Sequence, residues 1–195
     1  MKNDWQEYYN LTRDRAPSKL LMKALGYVKD KGRALDLGAG ALNDTRYLLK
    51  QGFSVLAIDK EQLPKDVLKN ITSAKFVFKK KQFEQFEIPR NRFDLVNAQY
   101  SLPFVNKNNF ARLWPKIVNS LRQGGIFTGQ FFGIGDDWND KSGKMSFFDR
   151  EGVLKKLEFF HIISLKETKK IAPLALGGSK FWHLFNIIAK KSDGD

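Results

Sequence analysis

The chain has 195 residues, of which 42% are hydrophobic and 28% are charged, and its formal net charge is +13. These fractions are typical of a globular protein with a core of its own, and no apolar run approaches the roughly 18 residues of a membrane span. The absence of cysteine excludes disulfides and thiolate metal sites. The length predicts a single domain over 1–195. Because cysteine and an apolar N-terminal signal segment are both absent, we expect the protein in the cytoplasm, without contact with a membrane.

The positive charge is spread over the chain and forms no basic tail. The densest cluster covers 79–81 and lies beside Phe76, Phe78 and Phe83. These phenylalanines alternate as strand residues with one buried face do, so we interpret the cluster as a solvated surface. A basic surface also attracts RNA, which keeps nucleic acid open as an alternative partner.

The predicted elements alternate between helices and strands. Pro17 suits a first helical turn, and apolar residues recur at helical spacing up to Val28, which predicts a helix over 17–30. The other predicted helices cover 4–10, 44–50, 61–70, 107–121 and 149–158. The predicted strands cover 33–37, 54–58, 74–78, 93–97 and 126–132, followed by 159–166 and 180–189.

This repeated strand–helix–strand order predicts an α/β fold, in which a parallel sheet is covered by helices on both faces. The two late strands break the order and predict an antiparallel edge added to the sheet. Residues 1–30 are predicted to form a helical cap over the ligand pocket. The polar segment 133–148 is predicted to form a lid-like loop, since closure over a pocket excludes water.

The first predicted strand ends in the sequence DLGAG at 36–40, and a predicted helix follows at once. A buried strand, a glycine turn and a helix N-terminus together form a floor for nucleotide-type ligands. Gly38 and Gly40 let the backbone pass close to such a ligand. Asp59 ends the second strand, where a carboxylate accepts hydrogen bonds from two ribose hydroxyls. The alternative for Asp59 is a cap on the helix that follows.

The end of the glycine motif separates two classes of ligand. A dinucleotide fingerprint has a third glycine where this chain has Asn43. No Tyr-x-x-x-Lys pair stands out either, so an NAD(P)-binding oxidoreductase is the less favoured interpretation.

The glycine turn, Asp59 and the two late strands together resemble the class I S-adenosylmethionine (SAM)-dependent methyltransferases over nearly the whole chain. The segments 5–15 and 180–183 resemble small bacterial methyltransferases of the tellurite- and thiopurine-resistance type, which modify small molecules. The resemblance implies a three-layer Rossmann-like fold with a mostly parallel, seven-stranded sheet whose last strand is antiparallel. It also implies SAM as the cofactor and a small-molecule acceptor, methylated by in-line displacement.

The resemblance also implies roles for individual residues. It places the methionine part of SAM over 38–40 and Asp36 near its amino group, although an Asp before a glycine turn can also only cap local amides. The family uses an acid at the adenine, where this chain has Gln82, which can bond the exocyclic amine, and Phe83, which can pack on the ring. The expected cofactor-binding residues are Asp36, Gly38, Ala39, Gly40, Asp59, Lys60, Gln82, Phe83 and Asn97.

The acceptor side is less defined by the sequence. Residues 97–104 face the methyl donor in the family, and they lack the Asn-Pro-Pro-Tyr pattern of amino-methylating enzymes. Tyr100 is a candidate catalytic residue that lines the pocket, with a core tyrosine as the alternative. His183 is the candidate general base, needed only if the acceptor must lose a proton, and a structural histidine is the alternative. The expected acceptor-binding residues are Tyr8, Tyr9, Arg13, Trp138 and His183, with Arg15 beside Arg13 as a second group for an anionic acceptor.

The acids Asp136, Asp137 and Asp140 lack the spacing of an oxygen-ligand loop, so we expect no metal and a polar lid in which Trp138 covers the pocket. A monomer or weak homodimer is expected. An RNA methyltransferase and a non-catalytic SAM-binding module remain alternatives to an enzyme acting on a small molecule.

Overall fold

The computed structural model describes residues 5–63, 67–68 and 71–192. Its helices are α1 (Trp5–Thr12), α2 (Lys19–Leu25), α3 (Asn43–Lys50), α4 (Lys107–Ser120) and α5 (Arg150–Lys156), with short 3₁₀ turns at Phe83–Gln85 and Leu102–Phe104. Its strands are β1 (Arg33–Leu37), β2 (Ser54–Asp59), β3 (Phe76–Lys80), β4 (Phe93–Ala98), β5 (Leu121–Gly133), β6 (Phe147–Phe148), β7 (Phe160–Pro173) and β8 (Ser179–Lys191). Half of the helix predicted over 61–70, namely 64–66 and 69–70, lies outside the described residues.

The strands form one sheet in the order β3-β2-β1-β4-β5-β8-β7, with β6 paired to β5. Strands β1 to β5 are parallel, while β8 is antiparallel to both β5 and β7. The Rossmann-like α/β fold and its mostly parallel sheet are therefore confirmed. The sheet has eight strands and not seven, because the two-residue strand β6 adds to the seven on the main path.

The late hairpin differs in detail from the expected antiparallel edge. The antiparallel strand β8 is inserted next to β5, and β7 forms the edge of the sheet. β7 also runs past the expected end at 166, because its pairing with β8 continues to Pro173 opposite Ser179. The turn 174–178 closes the hairpin, with left-handed backbone at Gly177 and Gly178.

Helices cover the two faces of the sheet. On one face, α4 buries Phe110 and Trp114 against the aromatic side chains of β5 and β7. On the other face, α2 and α3 bury Leu21 and Leu48 against the central strands. The helix predicted over 17–30 ends at Leu25 with Gly26 as its C-cap, because glycine is a weak helix former.

The carboxyl ends of the parallel strands meet at one edge of this sheet, where β1 and β4 are adjacent and β2 and β5 flank them. In open α/β sheets, ligands bind in the crevice at this edge. The fold therefore places the glycine turn, Asp59 and the segment after β4 around one site.

Candidate functional site

The glycine turn after β1 has a backbone that only glycine adopts without strain. Gly38 and Gly40 have φ angles of 72° and 50°, in the left-handed region. A Cβ on Gly38 would overlap the Cβ of Ser101, which lies beyond β4. The amides of Gly38 and Ala39 donate to the Ile58 carbonyl oxygen at 2.8 and 3.2 Å, which fixes the turn to the end of β2.

Asp59 lies at the end of β2, as predicted, and is only 4% exposed. Its Oδ2 accepts from the Gly40 amide at 2.8 Å. Its Oδ1 accepts from the Tyr9 hydroxyl at 2.8 Å and from the Glu61 amide at 3.0 Å. Burial and the neighbouring Asp59 carboxylate raise the pKa of Tyr9 well above its usual range, so Tyr9 stays a donor. The carboxylate therefore faces the turn and is closed from above by Tyr9.

Helix α1 lies over the glycine turn. The Tyr9 ring is buried, and its Cε1 lies 3.6 Å from the position of a Cβ on Gly40. Tyr9 belongs to a small apolar cluster with side chains of the turn and of β2. At the other end of the helix, the Lys60 ammonium lies 4.7 Å from the centre of the Trp5 ring, and Tyr8 packs edge-on against that ring at 5.8 Å. The described part of the predicted cap thus contacts both Asp59 and Lys60.

The C-terminal end of α1 is attached to α3. The Asn43 side-chain amide donates to the Thr12 carbonyl oxygen at 2.7 Å. The Arg46 guanidinium donates to the Arg13 carbonyl oxygen at 2.7 Å and to Asn43 Oδ1 at 2.5 Å. Asn43 stands where a dinucleotide fingerprint has its third glycine. Through these contacts it anchors the C-terminal end of α1 to the helix that follows the glycine turn.

Asp36 is buried below the turn and is hydrogen bonded on both oxygens. It accepts from the Thr45 hydroxyl at 2.5 Å and from the Asn97 amide at 2.8 Å. The same Asn97 nitrogen donates to Asp44 at 3.0 Å, and Asp44 also accepts from the Ser18 amide at 2.7 Å. Burial, followed by the Asp44 charge, raises the pKa of Asp36 to about 7. Burial also raises the pKa of Asp44.

A row of side-chain amides continues from Asn97 across the sheet. Gln99 donates to Asn97 Oδ1 at 2.8 Å, and Gln130 donates to Gln99 Oε1 at 2.9 Å. Gln130 in turn accepts from the Tyr100 amide at 3.0 Å. Sequence reasoning missed Asp44, Gln99 and Gln130. The one available signal was an amide side chain, Gln130, in the mainly apolar strand 126–132, and the structure shows that this side chain is buried.

Aromatic side chains from α1, from the segments after β4 and β5, and from the ends of β5 and β8 pack against one another beside the carboxyl ends of the parallel strands, and one of them, Phe132, is fully buried. We call this group the aromatic wall, and its members are Trp5, Tyr100, Phe104, Phe132, Trp138 and Trp182. Neighbouring ring centres lie 5.2 to 6.2 Å apart in edge-on or tilted arrangements. Tyr100 remains 44% exposed and has a left-handed φ of 50°. Burial of its hydroxyl, and then the neighbouring Tyr8, raise the pKa of Tyr100.

Lys180 lies at the base of the aromatic wall. Its buried ammonium is paired with Asp136 and lies 4.1 Å and 4.0 Å from the ring centres of Trp138 and Trp182. Burial lowers the pKa of Lys180, and the contact with Asp136 opposes this effect. The ion pair joins the segment 133–148 to β8 and fixes Trp138 in the wall.

The other acids of this segment bind neighbouring backbone amides. Asp137 accepts from Phe181 at 2.6 Å, and Asp140 accepts from Ser142 at 2.9 Å. Over 5–63, 67–68 and 71–192, no group of three or more His, Asp or Glu side chains is placed to hold a metal ion. Asp137 and Asp140 therefore stabilise the conformation of the segment 133–148.

His183 is not brought together with the glycine turn. Trp182 points into the aromatic wall, and because strand residues alternate, His183 points to the opposite face, where its ring lies 5.1 Å from Phe185. Its Nδ1 accepts from the Gly135 amide at 3.1 Å, and its Nε2 lies 2.9 Å from Glu167. These contacts fit the structural alternative for this histidine.

Three other predicted residues, Phe83, Gln82 and Arg13, make different contacts. The Phe83 ring reaches to 3.4 Å from the position of a Cβ on Gly38, so it borders the turn. Gln82 is exposed and accepts from the Gln85 amide at 3.3 Å. Arg13 follows α1 and contributes the carbonyl oxygen that binds α3.

Comparisons with known proteins agree with this geometry. Residues 35–128 match a protein family described as "Methyltransferase domain". A search of curated proteins finds no match. In the part of the chain that the structure describes, no helix is long and apolar enough to cross a membrane.

Solved structures share the fold at low sequence identity. The 1,6-didemethyltoxoflavin-N1-methyltransferase of Burkholderia thailandensis, solved with 1,6-didemethyltoxoflavin and S-adenosylhomocysteine, has a TM-score of 0.65 at 20% identity over 90% of this chain and 79% of its own. A SAM-dependent methyltransferase of Methanosarcina mazei has a TM-score of 0.66 at 16% identity over 92% and 100%. TehB of Haemophilus influenzae has a TM-score of 0.71 at 13% identity over 88% and 61%.

Proposed function

We propose that the protein transfers the methyl group of SAM to a small acceptor with a flat apolar ring. This proposal is supported by the match of residues 35–128 to the family described as "Methyltransferase domain". The observation that carries the choice of acceptor is the aromatic wall beside the carboxyl ends of β4 and β5. Aromatic side chains bind planar apolar groups through stacked and edge-on contacts. The expected similarity to the tellurite- and thiopurine-resistance type remains part of this proposal.

The residues of the donor half fit SAM. The glycine turn has left-handed backbone at Gly38 and Gly40, which lets the chain pass close to a ligand, and Asp59 offers a carboxylate to ribose hydroxyls. Phe83 borders the turn at the side where the adenine ring is expected. Asp36 and Asn97 lie below the turn, near the expected place of the amino group. When bound, SAM supplies a methyl group that its sulfonium has already activated.

The protein's own contribution to the transfer is alignment and exclusion of water. An acceptor ring held against the wall is fixed relative to the donor half, and such positioning supplies most of the rate enhancement of a displacement reaction. Because burial raises the pKa of Tyr100, its hydroxyl stays protonated at neutral pH and can donate a hydrogen bond to the acceptor. We therefore assign Tyr100 an orienting role. The geometry of His183 supports a structural role and gives no support to general-base catalysis.

The experiment that tests the donor half is calorimetric titration with SAM, S-adenosylhomocysteine and NADH. We expect heat and a raised melting temperature with both adenosyl ligands and no heat with NADH. Binding of NADH alone would favour an oxidoreductase and contradict the proposal.

The acceptor half is tested by methyl transfer from labelled SAM. We expect label in planar heterocycles, phenols or aromatic thiols. Label in RNA alone, lost steeply as the salt concentration rises, would favour the alternative based on the net charge of +13. Binding of SAM without transfer to any acceptor would favour a non-catalytic module.

A further inference from the structure

We propose that Tyr9 is an internal competitor of the cofactor: its hydroxyl occupies the ribose-binding side of Asp59 in the free protein and leaves when the cofactor binds. This inference rests on the proposed role of Asp59 in the donor half. It assigns Tyr9, which the sequence places among acceptor-binding candidates, to control of cofactor affinity.

Three of the acceptor positions of the Asp59 carboxylate are already occupied in the free protein. A carboxylate has about four acceptor positions. Gly40, Glu61 and Tyr9 already fill three of them, at 2.8, 3.0 and 2.8 Å. A ribose presents two adjacent hydroxyls, and only one position remains. At least one of the three donors must therefore leave before both hydroxyls can bind.

Of the three donors to Asp59, Tyr9 is the one whose departure leaves the glycine turn intact. The Gly40 amide belongs to the glycine turn, which is fixed to the end of β2 through the Ile58 carbonyl oxygen. The Glu61 amide follows Asp59 by two residues in the chain. Tyr9 reaches Asp59 from α1, which is separate in sequence and contacts the turn from above. Tyr9 is thus the donor that moves without breaking the site.

The Tyr9 ring also occupies the space above the glycine turn. The Tyr9 ring lies against the turn, with its Cε1 at 3.6 Å from the position of a Cβ on Gly40, and the residue is 4% exposed. The ring fills the volume above Gly40 that a ligand lying on the turn needs. Removing the hydroxyl from Asp59 therefore requires that the ring, and the part of α1 that carries it, shift.

The attachments of α1 define the direction of this shift. Hydrogen bonds from Asn43 and Arg46 hold its C-terminal end to α3. Its N-terminal end is held by ring contacts, since the Trp5 ring centre lies 5.2 Å from that of Phe104 and 4.7 Å from the Lys60 ammonium, and by one exposed hydrogen bond from Gln6 to the Gln62 carbonyl oxygen at 3.1 Å. Because a single exposed hydrogen bond and ring contacts restrain the helix less than the two part-buried hydrogen bonds to α3, we expect α1 to pivot at its C-terminal end. Trp5 then moves relative to the other members of the aromatic wall, which couples cofactor binding to the acceptor half.

The test is the affinity for S-adenosylhomocysteine of the full chain carrying Tyr9→Phe. Loss of one hydrogen bond to a charged group in the free protein should tighten binding about tenfold, mainly through faster association. Tyr47→Phe, the same chemical change on α3, serves as the matched control and should bind like the unchanged protein. Equal or weaker binding by Tyr9→Phe would overturn the inference while leaving the cofactor assignment intact.

A second readout uses the unchanged protein. Hydrogen exchange of the amides in 5–12 should increase when S-adenosylhomocysteine binds, because α1 leaves its contact with Asp59. Unchanged or slower exchange in this segment would contradict the displacement. Failure of the unchanged protein, Tyr47→Phe and Tyr9→Phe alike to bind the ligand would instead refute the cofactor site itself, and the inference with it.

Discussion

The donor half and the acceptor half of the site are built from different interactions. The centre of the donor half is short-range backbone geometry, in which two glycines, one strand end and a carboxylate lie within 36–59 of the chain, and Phe83 and Asn97 are added to it from later segments. The acceptor half combines rings from α1, from the segment after β4 and from β8, which are far apart in sequence. The comparison shows why the cofactor is readable from a motif and the acceptor is not. It also predicts that changes in the two halves have separable effects.

The largest effect is expected for Asp59→Ala. Loss of two hydrogen bonds between ribose hydroxyls and a charged acceptor should weaken S-adenosylhomocysteine binding by about 100-fold or more. Calorimetric titration measures this change. Asp140→Ala removes an exposed acid from the segment 133–148 and should leave the affinity unchanged. If Asp59→Ala bound as tightly as Asp140→Ala, the donor half would not be centred on Asp59.

The next effect is expected for Gly38→Ala, with Gly52→Ala as its match. Both glycines have left-handed φ angles, 72° and 100°, but only Gly38 has a neighbour that a Cβ would overlap. Gly52→Ala should lower the free energy of unfolding by about 1–2 kcal/mol from backbone strain alone. Gly38→Ala should lower it further and also weaken cofactor binding. Urea denaturation and titration of both variants test this, and equal losses would show that the turn is not crowded.

For a change in the acceptor half, a smaller effect is expected, and it should fall on the acceptor and not on cofactor affinity. Trp182→Ala removes a ring that packs on Tyr100 and Trp138, and should lower kcat/KM for the acceptor about tenfold. S-adenosylhomocysteine affinity should stay unchanged, because Trp182 lies outside the donor half. Trp182→Phe keeps a ring and should recover part of the activity. A loss of cofactor affinity in Trp182→Ala would break the separation of the two halves.

The last expected effect is a dependence of stability on pH that involves Asp36. Its pKa is raised to about 7 in the folded protein, above its value in the unfolded chain of about 4. Between these values the folded state binds the extra proton, so the free energy of unfolding falls as pH rises from about 4 to 7. Asp36→Asn cannot titrate and should show a weaker fall. Urea midpoints at pH 5 and pH 8 measure this, and equal slopes for both proteins would exclude Asp36 as the cause.

The sequence predicted the parts of the molecule whose cause is local. The strand ending at Leu37, the turn with Gly38 and Gly40 and the strand ending at Asp59 all follow from apolar runs and from residues with special backbone freedom. These features need no knowledge of distant contacts. The central sheet and its Rossmann-like order could therefore be predicted without the structure.

The parts that escaped prediction depend on pairing across long stretches of chain. β7 continues to Pro173 through a run of lysines because β8 supplies its partners, which composition alone does not reveal. The Gln99–Gln130 contact joins the residue after β4 to a residue of β5, and the pairing of Lys180 with Asp136 joins β8 to the segment after β5. Tyr9 on Asp59 belongs to the same class, because a helix and a strand end meet there only in the folded protein.

The most direct test of the account is a methyl-transfer assay with labelled SAM, offered side by side to a panel of small planar heterocycles, phenols and thiols and to RNA. We expect label in a small aromatic acceptor, with transfer lost in Asp59→Ala and reduced about tenfold in Trp182→Ala. Label found only in RNA, or transfer that is insensitive to Trp182→Ala, would contradict it.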